Sequence, residues 1–98
     1  MFRHVVMMQL SETTTDADAQ VIIDTLVALP PLVPEIRSFS VGLDAGISEG
    51  NFDLVVVADF DDEAGYRAYG ANADHQAIIV DLIKPALAKR SAVQYIID

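Results

Sequence analysis

Apolar residues occupy both alternating sets of positions in two stretches of the chain, Phe2 to Leu10 and Phe52 to Phe60. Successive side chains of a β-strand point to opposite faces of the sheet, so this pattern predicts two strands that are covered on both faces. The stretches from Ile36 to Leu43 and from Ser91 to Ile97 place apolar residues at every second position and predict two more strands. A loop is expected from Asp44 to Asn51, which contains two glycines.

The first helix is predicted between the first two strands, from about Ala17 to Leu29, where apolar residues recur at helical spacing. Asp16 is its predicted N-cap, because a carboxylate can accept the free amide hydrogens of the first turn. Pro30 and Pro31 are expected to end the helix, since proline lacks an amide hydrogen and clashes with the preceding turn.

The second helical region is predicted between the third and fourth strands. It starts after two adjacent aspartates that can cap it and runs to about Tyr69. The segment from Gly70 to Asp74 is expected to interrupt it. A further helix then runs from about His75 until Pro85 disturbs or ends it.

The predicted order of elements is β-α-β-β-α-β over residues 1–98, taken as a single domain. This order indicates an α+β fold, a ferredoxin-like sandwich with a four-stranded antiparallel sheet and helices on one face. Two helices cover only one face, whereas two strands are apolar on both. A second copy of the same sheet is the simplest cover for the other face, so we expect a homodimer.

Composition and charge narrow the choice of partners. With 15 acidic and 6 basic residues the net charge is −9, and such a chain lacks the basic footprint that nucleic acids or anionic membranes require. No apolar run approaches the roughly 18 residues that span a bilayer. The absence of cysteine and of a recognisable signal peptide favours a cytoplasmic protein.

Candidate chemistry centres on the only two histidines, His4 and His75, together with Tyr69. Histidine exchanges protons near neutral pH without special tuning. His75 could act as a general base and Tyr69 as a hydrogen-bond donor to an enolate oxygen, with His4 as their polar partner. We expect an apolar pocket around them, with walls from the apolar residues of both helices: Ile22, Leu26, Ile78, Ile79 and Leu82.

Structural roles are the alternative interpretation of the same residues. His4 could be a core histidine bonded to a backbone carbonyl or to Tyr69, and His75 could simply begin a helix. A metal site is disfavoured, because the two histidines stand at opposite ends of the chain without a tight ligand spacing. The carboxylates Asp59, Asp61, Asp62 and Glu63 are better explained as a solvated helix start that complements the helix dipole. No metal and no cofactor are therefore expected.

The chain resembles a known family, the stress-responsive α/β-barrel (Dabb) domain, which is part of the dimeric α/β-barrel superfamily. The resemblance covers nearly the whole chain. It rests on these segments, in this order: Phe2-Arg3-His4, Leu29-Pro30, Pro34-Glu35-Ile36, Val41-Gly42-Leu43-Asp44, Asp53 to Phe60, Tyr69 with His75 six residues later, and Tyr95-Ile96-Ile97.

The resemblance implies a dimeric barrel and, for one plant branch, a reaction. Members of that branch are polyketide cyclases, which close a linear poly-β-ketone by an aldol step without a cofactor. His4, Tyr69 and His75 fall on positions that serve that reaction. Two other polar positions of the branch are occupied here by Leu26 and Leu54.

Two functions follow as expectations. The first is a pocket for a small oxygenated, aromatic or polyketide-like molecule that supports cofactor-free acid–base chemistry. The second is a non-enzymatic, stress-related dimeric scaffold or ligand-binding protein. The superfold also includes haem-degrading enzymes that rely on a pocket tryptophan, and this chain has no tryptophan.

Overall fold

Strands and helical segments follow the predicted order. The computed structural model describes residues 1–97. Its elements are the strands β1 (Phe2–Leu10), β2 (Ser38–Leu43), β3 (Leu54–Phe60) and β4 (Leu87–Ile96), the helices α1 (Asp16–Val27), α2 (Glu63–Ala71), α3 (Ala73–Ile78) and α4 (Lys84–Ala86), a 3-10 turn at Pro30–Leu32 and a π-helical turn at Ile79–Ile83.

The four strands form one antiparallel sheet in the order β2-β3-β1-β4. The two strands with apolar residues at both sets of positions, β1 and β3, are the inner strands of this sheet. Across them the register pairs Val6 with Val56 and His4 with Ala58. This order and the helical connections are those of the ferredoxin-like fold, so the predicted fold is confirmed.

The hydrophobic core lies between one face of the sheet and the helices. Alternate residues of β1 and β3 point into it, and Phe60, Leu26 and Leu29 are among its most deeply buried side chains. Its other buried members are Val6, Met8, Ile22, Val33, Leu54, Val56, Ala58, Tyr69, Ile78 and Ile83. No helix within residues 1–97 is long and apolar enough to cross a membrane.

The opposite face, which we call the open face, carries the other set of β1 and β3 side chains. Its centre is aliphatic, with Val5 beside Val57 and Met7 beside Val55 in the register. Met7 is 42% exposed in the single chain, and Val93 of the neighbouring strand β4 is 57% exposed. The open face is therefore an apolar surface that the helices of the same chain do not cover.

Asp59 is buried at the edge of this apolar surface and pairs with Arg3, so the prediction that Asp59 belongs to a solvated helix start was wrong. The carboxylate of Asp59 accepts hydrogen bonds from Nε of Arg3 at 2.7 Å and from Nη2 of Arg3 at 2.9 Å. A third bond comes from the Ser38 hydroxyl at 3.2 Å. These contacts satisfy a carboxylate that is only 4% exposed and hold its pKa below its usual range, chiefly through the bond from Arg3.

The N-cap of α1 is Thr15, so the prediction of Asp16 was wrong. Thr15 has extended backbone angles, and its hydroxyl accepts a bond from the Asp18 amide at 3.1 Å. In return the Asp18 carboxylate accepts the Thr15 amide at 3.2 Å. This reciprocal capping box satisfies two amides, and it places Asp16 inside the helix as its first residue.

The break between α2 and α3 is shorter than the predicted interruption from Gly70 to Asp74. Only Asn72 lies outside the two helices, and its side-chain oxygen accepts the amides of Asp74 at 2.9 Å and His75 at 3.1 Å. One asparagine thus ends one helix and caps the next. Further on, the Lys84 amide bonds the Ile79 carbonyl five residues back, which makes a π-helical turn just before Pro85.

Strand boundaries also shift from their predicted positions. β2 begins at Ser38 and β3 at Leu54, each two residues later than expected. β4 begins at Leu87 and not at Ser91, because the charged residues that follow Leu87 pair with the far end of β1 across a bulge at Gln9 and Leu10. Hydrophobic alternation does not reveal an exposed, charged strand segment.

Candidate functional site

A cavity of about 390 Å³ opens between the helix-covered face of the sheet and the α2–α3 segment. This size lies within the range of small-molecule sites. Its apolar lining residues are Val6, Met8, Leu26, Val56, Ile79, Ile83 and Leu87, and its other lining residues are His4, Tyr66, Tyr69, Gly70, His75, Gln76, Lys84 and Arg90. The structure thus brings the three predicted chemical residues, His4, Tyr69 and His75, around one cavity.

His4 enters the cavity from β1, which places it directly opposite Gln94 of β4 in the register. The Gln94 amide nitrogen lies 3.1 Å from Nδ1 of His4. An amide NH₂ group can only donate, so Nδ1 accepts and the neutral ring carries its hydrogen on Nε2. His4 is therefore held by a side chain of the neighbouring strand, and within residues 1–97 neither a backbone carbonyl nor Tyr69 is its partner.

His75 and Tyr69 lie against each other across the Asn72 break. Their ring centroids are 3.9 Å apart with an interplanar angle of 31°. Both residues are buried, and Nδ1 of His75 has no hydrogen-bond partner among the described residues. The Asn72 side chain accepts a hydrogen bond from the His75 amide and so holds the backbone at His75. This fixes the position from which the imidazole side chain extends.

Tyr66 completes an aromatic cluster around the two histidines. Its ring centroid lies 4.9 Å from that of His4 and 6.4 Å from that of Tyr69. The rings of His4 and Tyr69 are themselves 6.4 Å apart. Phe60 packs against the cluster, with its ring centroid 5.2 Å from that of Tyr69. Packed rings of this kind hold polar groups in an apolar surrounding.

Burial sets the protonation states of the site. Desolvation lowers the pKa of His4, and the charges of Arg90 and His75 lower it further. Desolvation also lowers the pKa of His75, which the nearby Tyr69 carbonyl opposes only in part. The pKa of Tyr69 is raised to about 12, mainly by burial. At neutral pH the site therefore holds two uncharged imidazoles and one protonated phenol.

The predicted wall residues divide between three places. Leu26 and Ile79 line the cavity, as does Ile83 of the same π-helical turn. Ile22 and Leu82 do not line it; they face a separate surface groove beside Asp81. Ile78 is buried in the core next to the site. Ile79 and Ile83 are four residues apart and lie on the same side of this helical turn, which faces the cavity.

The lining and supporting residues that were not predicted include Tyr66, Gln94, Lys84 and Arg90. Tyr66 could have been found from its spacing of three residues before Tyr69, which puts both on one helix face. Gln94 could be found only from the register of β4 against β1. Lys84 lies directly after the π-helical turn, and Arg90 lies in the part of β4 that precedes Ser91. Sequence patterns revealed neither feature, so neither residue was expected at the site.

In residues 1–97 no group of three or more His, Cys, Asp or Glu side chains is placed to hold a metal ion. The acidic residues before α2 act otherwise: Asp62 caps the helix by accepting the Gly65 amide at 3.0 Å, and Asp61 pairs with Arg37 at 2.9 Å.

Comparison with solved structures finds the same fold in several proteins. A dimeric ferredoxin-like protein of unknown function from Thermobifida fusca is 38% identical, with a TM-score of 0.91, over 98% of this chain and 90% of that one. A Dabb family protein from Mesorhizobium loti is 20% identical with a TM-score of 0.77, over 98% and 95%. A hydroxynitrile lyase from Passiflora edulis is 20% identical with a TM-score of 0.85, over 99% and 93%.

Family membership follows from the sequence as well. No curated protein matches the chain. The family model of the stress-responsive A/B barrel domain, Dabb, matches residues 2–97, almost the whole chain. The resemblance identified from the sequence segments is therefore confirmed, and the chain belongs to the Dabb family.

Proposed function

We propose that this Dabb-family chain forms a homodimer and that each subunit binds a small oxygenated, aromatic or polyketide-like molecule in the cavity described above. In the cavity the protein would carry out cofactor-free acid–base chemistry. The observation that carries this proposal is the convergence of His4, Tyr69 and His75 on one largely apolar cavity of about 390 Å³. Few polar groups in an apolar cavity are typical of small-molecule sites.

The proposed step is proton removal from a carbon next to a carbonyl. An uncharged nitrogen of His75 takes the proton and becomes imidazolium, and the electron pair of the C–H bond moves to the carbonyl oxygen. The Tyr69 hydroxyl donates a hydrogen bond to that oxygen as its charge develops. Nε2–H of His4 donates from the other side. In an aldol step the enolate carbon then attacks a second carbonyl, and the alkoxide that forms takes the proton from the His75 imidazolium. In simple exchange the enolate carbon regains a proton from that imidazolium.

The protonation states support these roles. A base must be uncharged before it acts, and the lowered pKa of His75 keeps it so at neutral pH. A donor must keep its proton, and a pKa of about 12 keeps Tyr69 protonated. The two residues differ in the direction of their shifts because burial disfavours the cation of one and the anion of the other.

The homodimer is supported by the open face. A sheet face with exposed Met7 and Val93 and half-buried valines is an apolar patch of the kind that marks an interface. The similar Thermobifida fusca protein is described as dimeric. Sheet-to-sheet packing would leave both cavities accessible, because each lies on the helix-covered face. The cytoplasm remains the proposed compartment, in keeping with a chain without cysteine.

Catalysis is tested by proton exchange at a carbon acid. The purified protein is incubated in D₂O with 1-phenylbutane-1,3-dione, and deuterium uptake at the carbon between the carbonyls is followed by NMR. We expect the wild-type protein to raise the exchange rate above the buffer rate, and His75→Ala to remove about 10²-fold or more of that increase. Tyr69→Phe should lower it less, by about tenfold to 10²-fold.

Tyr66→Phe is the matched control, because it removes a phenol hydroxyl from the same cluster without touching a proposed role. Its exchange rate should stay near that of the wild type. If the wild-type protein leaves the buffer rate unchanged but binds the diketone, the site is a binding site without turnover.

A dimeric scaffold without chemistry is the second candidate, and the open face is the observation that favours it. This function needs the dimer and not the cavity. It is favoured if the protein is dimeric while neither binding nor proton exchange is detected. The Passiflora edulis protein of the same fold is named a hydroxynitrile lyase, which supports the view that this fold can hold an enzyme.

A further inference from the structure

The charges around the cavity differ from those of the rest of the protein. The chain has 15 acidic and 6 basic residues, yet the lining of the cavity includes Lys84 and Arg90 and no carboxylate. Four other surface depressions each include at least one aspartate or glutamate in their linings. Both side chains are exposed and so lie where the cavity opens to solvent. This mouth of the cavity is therefore a basic exception on an acidic protein.

These two cations are also available to a ligand. Three of the basic side chains already form ion pairs: Arg3 with Asp59, Arg37 with Asp61 and Arg67 with Glu63. Lys84, Lys89 and Arg90 form none with the carboxylates that the structure describes. Of these three, Lys89 does not line the cavity and lies 6.0 Å from the Phe52 ring centroid.

The positive charge of Arg90 acts on titratable groups inside the cavity. It lowers the pKa of His4, and it partly opposes the rise in the pKa of Tyr69. An anion bound at the mouth would meet this same field. Without such a local field the net charge of −9 would repel an anion from the protein.

We propose that the cavity selects molecules that carry a carboxylate, with the apolar, oxygenated body inside and the carboxylate at the mouth between Lys84 and Arg90. This inference names the substrate class of the acid–base site and rests on the proposed function. Arginine binds a carboxylate through paired hydrogen bonds, and lysine adds a point charge. The carboxylate would also orient the molecule, with its carbonyl groups toward Tyr69 and His75.

The test compares two probes of nearly the same shape, 2-naphthoate and 2-naphthamide. Their affinities for the wild-type protein are measured by isothermal titration calorimetry at low salt. We expect the acid to bind about tenfold more tightly than the amide, because only the acid gains charge-assisted hydrogen bonds. Raising the ionic strength should weaken the binding of the acid and leave that of the amide nearly unchanged.

Single variants then assign the effect to residues. Lys84→Gln and Arg90→Gln should each weaken the binding of 2-naphthoate by about threefold to fivefold, the range of a partly exposed charge pair, and leave 2-naphthamide unaffected. Lys89→Gln removes the same charge one residue before Arg90 and is the matched control. It should not change either affinity by more than about 1.5-fold.

Three results would overturn the inference. Equal affinity for acid and amide removes the carboxylate preference while the cavity remains a binding site. An equal loss with Lys89→Gln shows that net charge, and not the mouth, attracts the acid. Binding of neither probe removes the small-molecule site itself, and the proposed function fails with it.

Discussion

The two faces of the sheet are built from alternate residues of the same two strands and serve different purposes. On the helix-covered face, β1 contributes His4, Val6 and Met8, and the first of these meets the aromatic side chains of α2. On the open face it contributes Val5 and Met7, which lie beside Val57 and Val55 of β3. A shift of one residue thus separates a packed pocket from a bare surface.

This difference shows where a 98-residue chain with 52% apolar residues places them. A small domain has much surface for its volume. The helix-covered face places its apolar residues in a core within the chain, and the open face leaves Met7 and Val93 exposed in the single chain. The polar groups divide in the same way: the histidines are buried in the pocket, and Asp59, paired with the half-buried Arg3, is buried at the edge of the open face.

Val56→Asp should have the largest effect, because Val56 points into the core and is only 2% exposed. An unpaired carboxylate there costs several kcal/mol, comparable with the whole stability of a small domain. We expect a protein that is unfolded or nearly so at 25 °C, as seen by circular dichroism. Val56→Ala makes a cavity without a charge and should cost less, about 2 kcal/mol. A melting temperature unchanged by Val56→Asp would contradict the burial of this side chain.

Val55→Asp places the same charge one residue away, on the open face. We expect the variant to fold as a monomer, because the carboxylate stays in water when the subunits are separate and is buried when they associate. Light scattering at micromolar concentration should give twice 10.6 kDa for the wild type and the single-chain mass for the variant. Val55→Thr, of similar shape and uncharged, should keep the dimer. A wild-type protein with the single-chain mass would refute the dimer.

Acid should destabilise the two faces in different pH ranges. The folded pKa values of His4 and His75 are lowered from 6.5, so the unfolded chain takes up protons first and stability falls as the pH drops below about 6.5. Asp59 has its pKa lowered from 3.8, so its contribution is complete above that pH and is lost as the pH falls further.

Urea unfolding at pH 7, 6 and 5 checks the first range. His75→Gln should reduce the slope of stability against pH by up to one proton, about 1.4 kcal/mol per pH unit. Asp59→Asn should leave that slope unchanged: it lowers stability by a constant amount above about pH 4 and removes the part of the pH dependence that lies below pH 4. A wild-type stability that does not change between pH 7 and pH 5 would show that the histidines are not held uncharged.

Much of this comparison could be predicted from the sequence, because alternation is a local property. The apolar pattern of β1 and β3 predicted that both strands are covered on two faces, as inner strands are. The only two histidines, together with Tyr69, pointed to the centre of the cavity. Helix ends depend on single hydrogen bonds, such as those of the capping box at Thr15 and of the cap at Asn72. Neighbouring polar residues are equally able to cap a helix. Sequence patterns could not distinguish between them.

The remaining parts of the site depend on contacts between distant segments. Gln94 bonds His4 only because β4 pairs with β1 in one register, 90 residues later in the chain. Ile79 lines the cavity and Leu82 does not, because a π-helical turn replaces the regular helix that periodicity assumes. Local spacing therefore predicts which kinds of residue share one face of a strand or helix. The register between strands and the type of helix decide which individual side chains line the cavity.

The smallest expected effect concerns the hydrogen bond from Gln94 to His4. Gln94→Met removes the donor that holds Nδ1 as an acceptor, and because Gln94 is exposed the loss of stability should be about 1 kcal/mol or less. The ring would then be free to carry its hydrogen on either nitrogen. ¹⁵N NMR of His4 should show the Nε2–H form in the wild type and a mixture of both forms in the variant. Gln76→Met is the control, since Gln76 lines the same cavity but bonds the Gly70 carbonyl. It should leave the His4 signals unchanged. An Nδ1–H form in the wild type would mean that the Gln94 amide presents its oxygen to the ring, and that Nε2 of His4 cannot serve as a donor in the pocket.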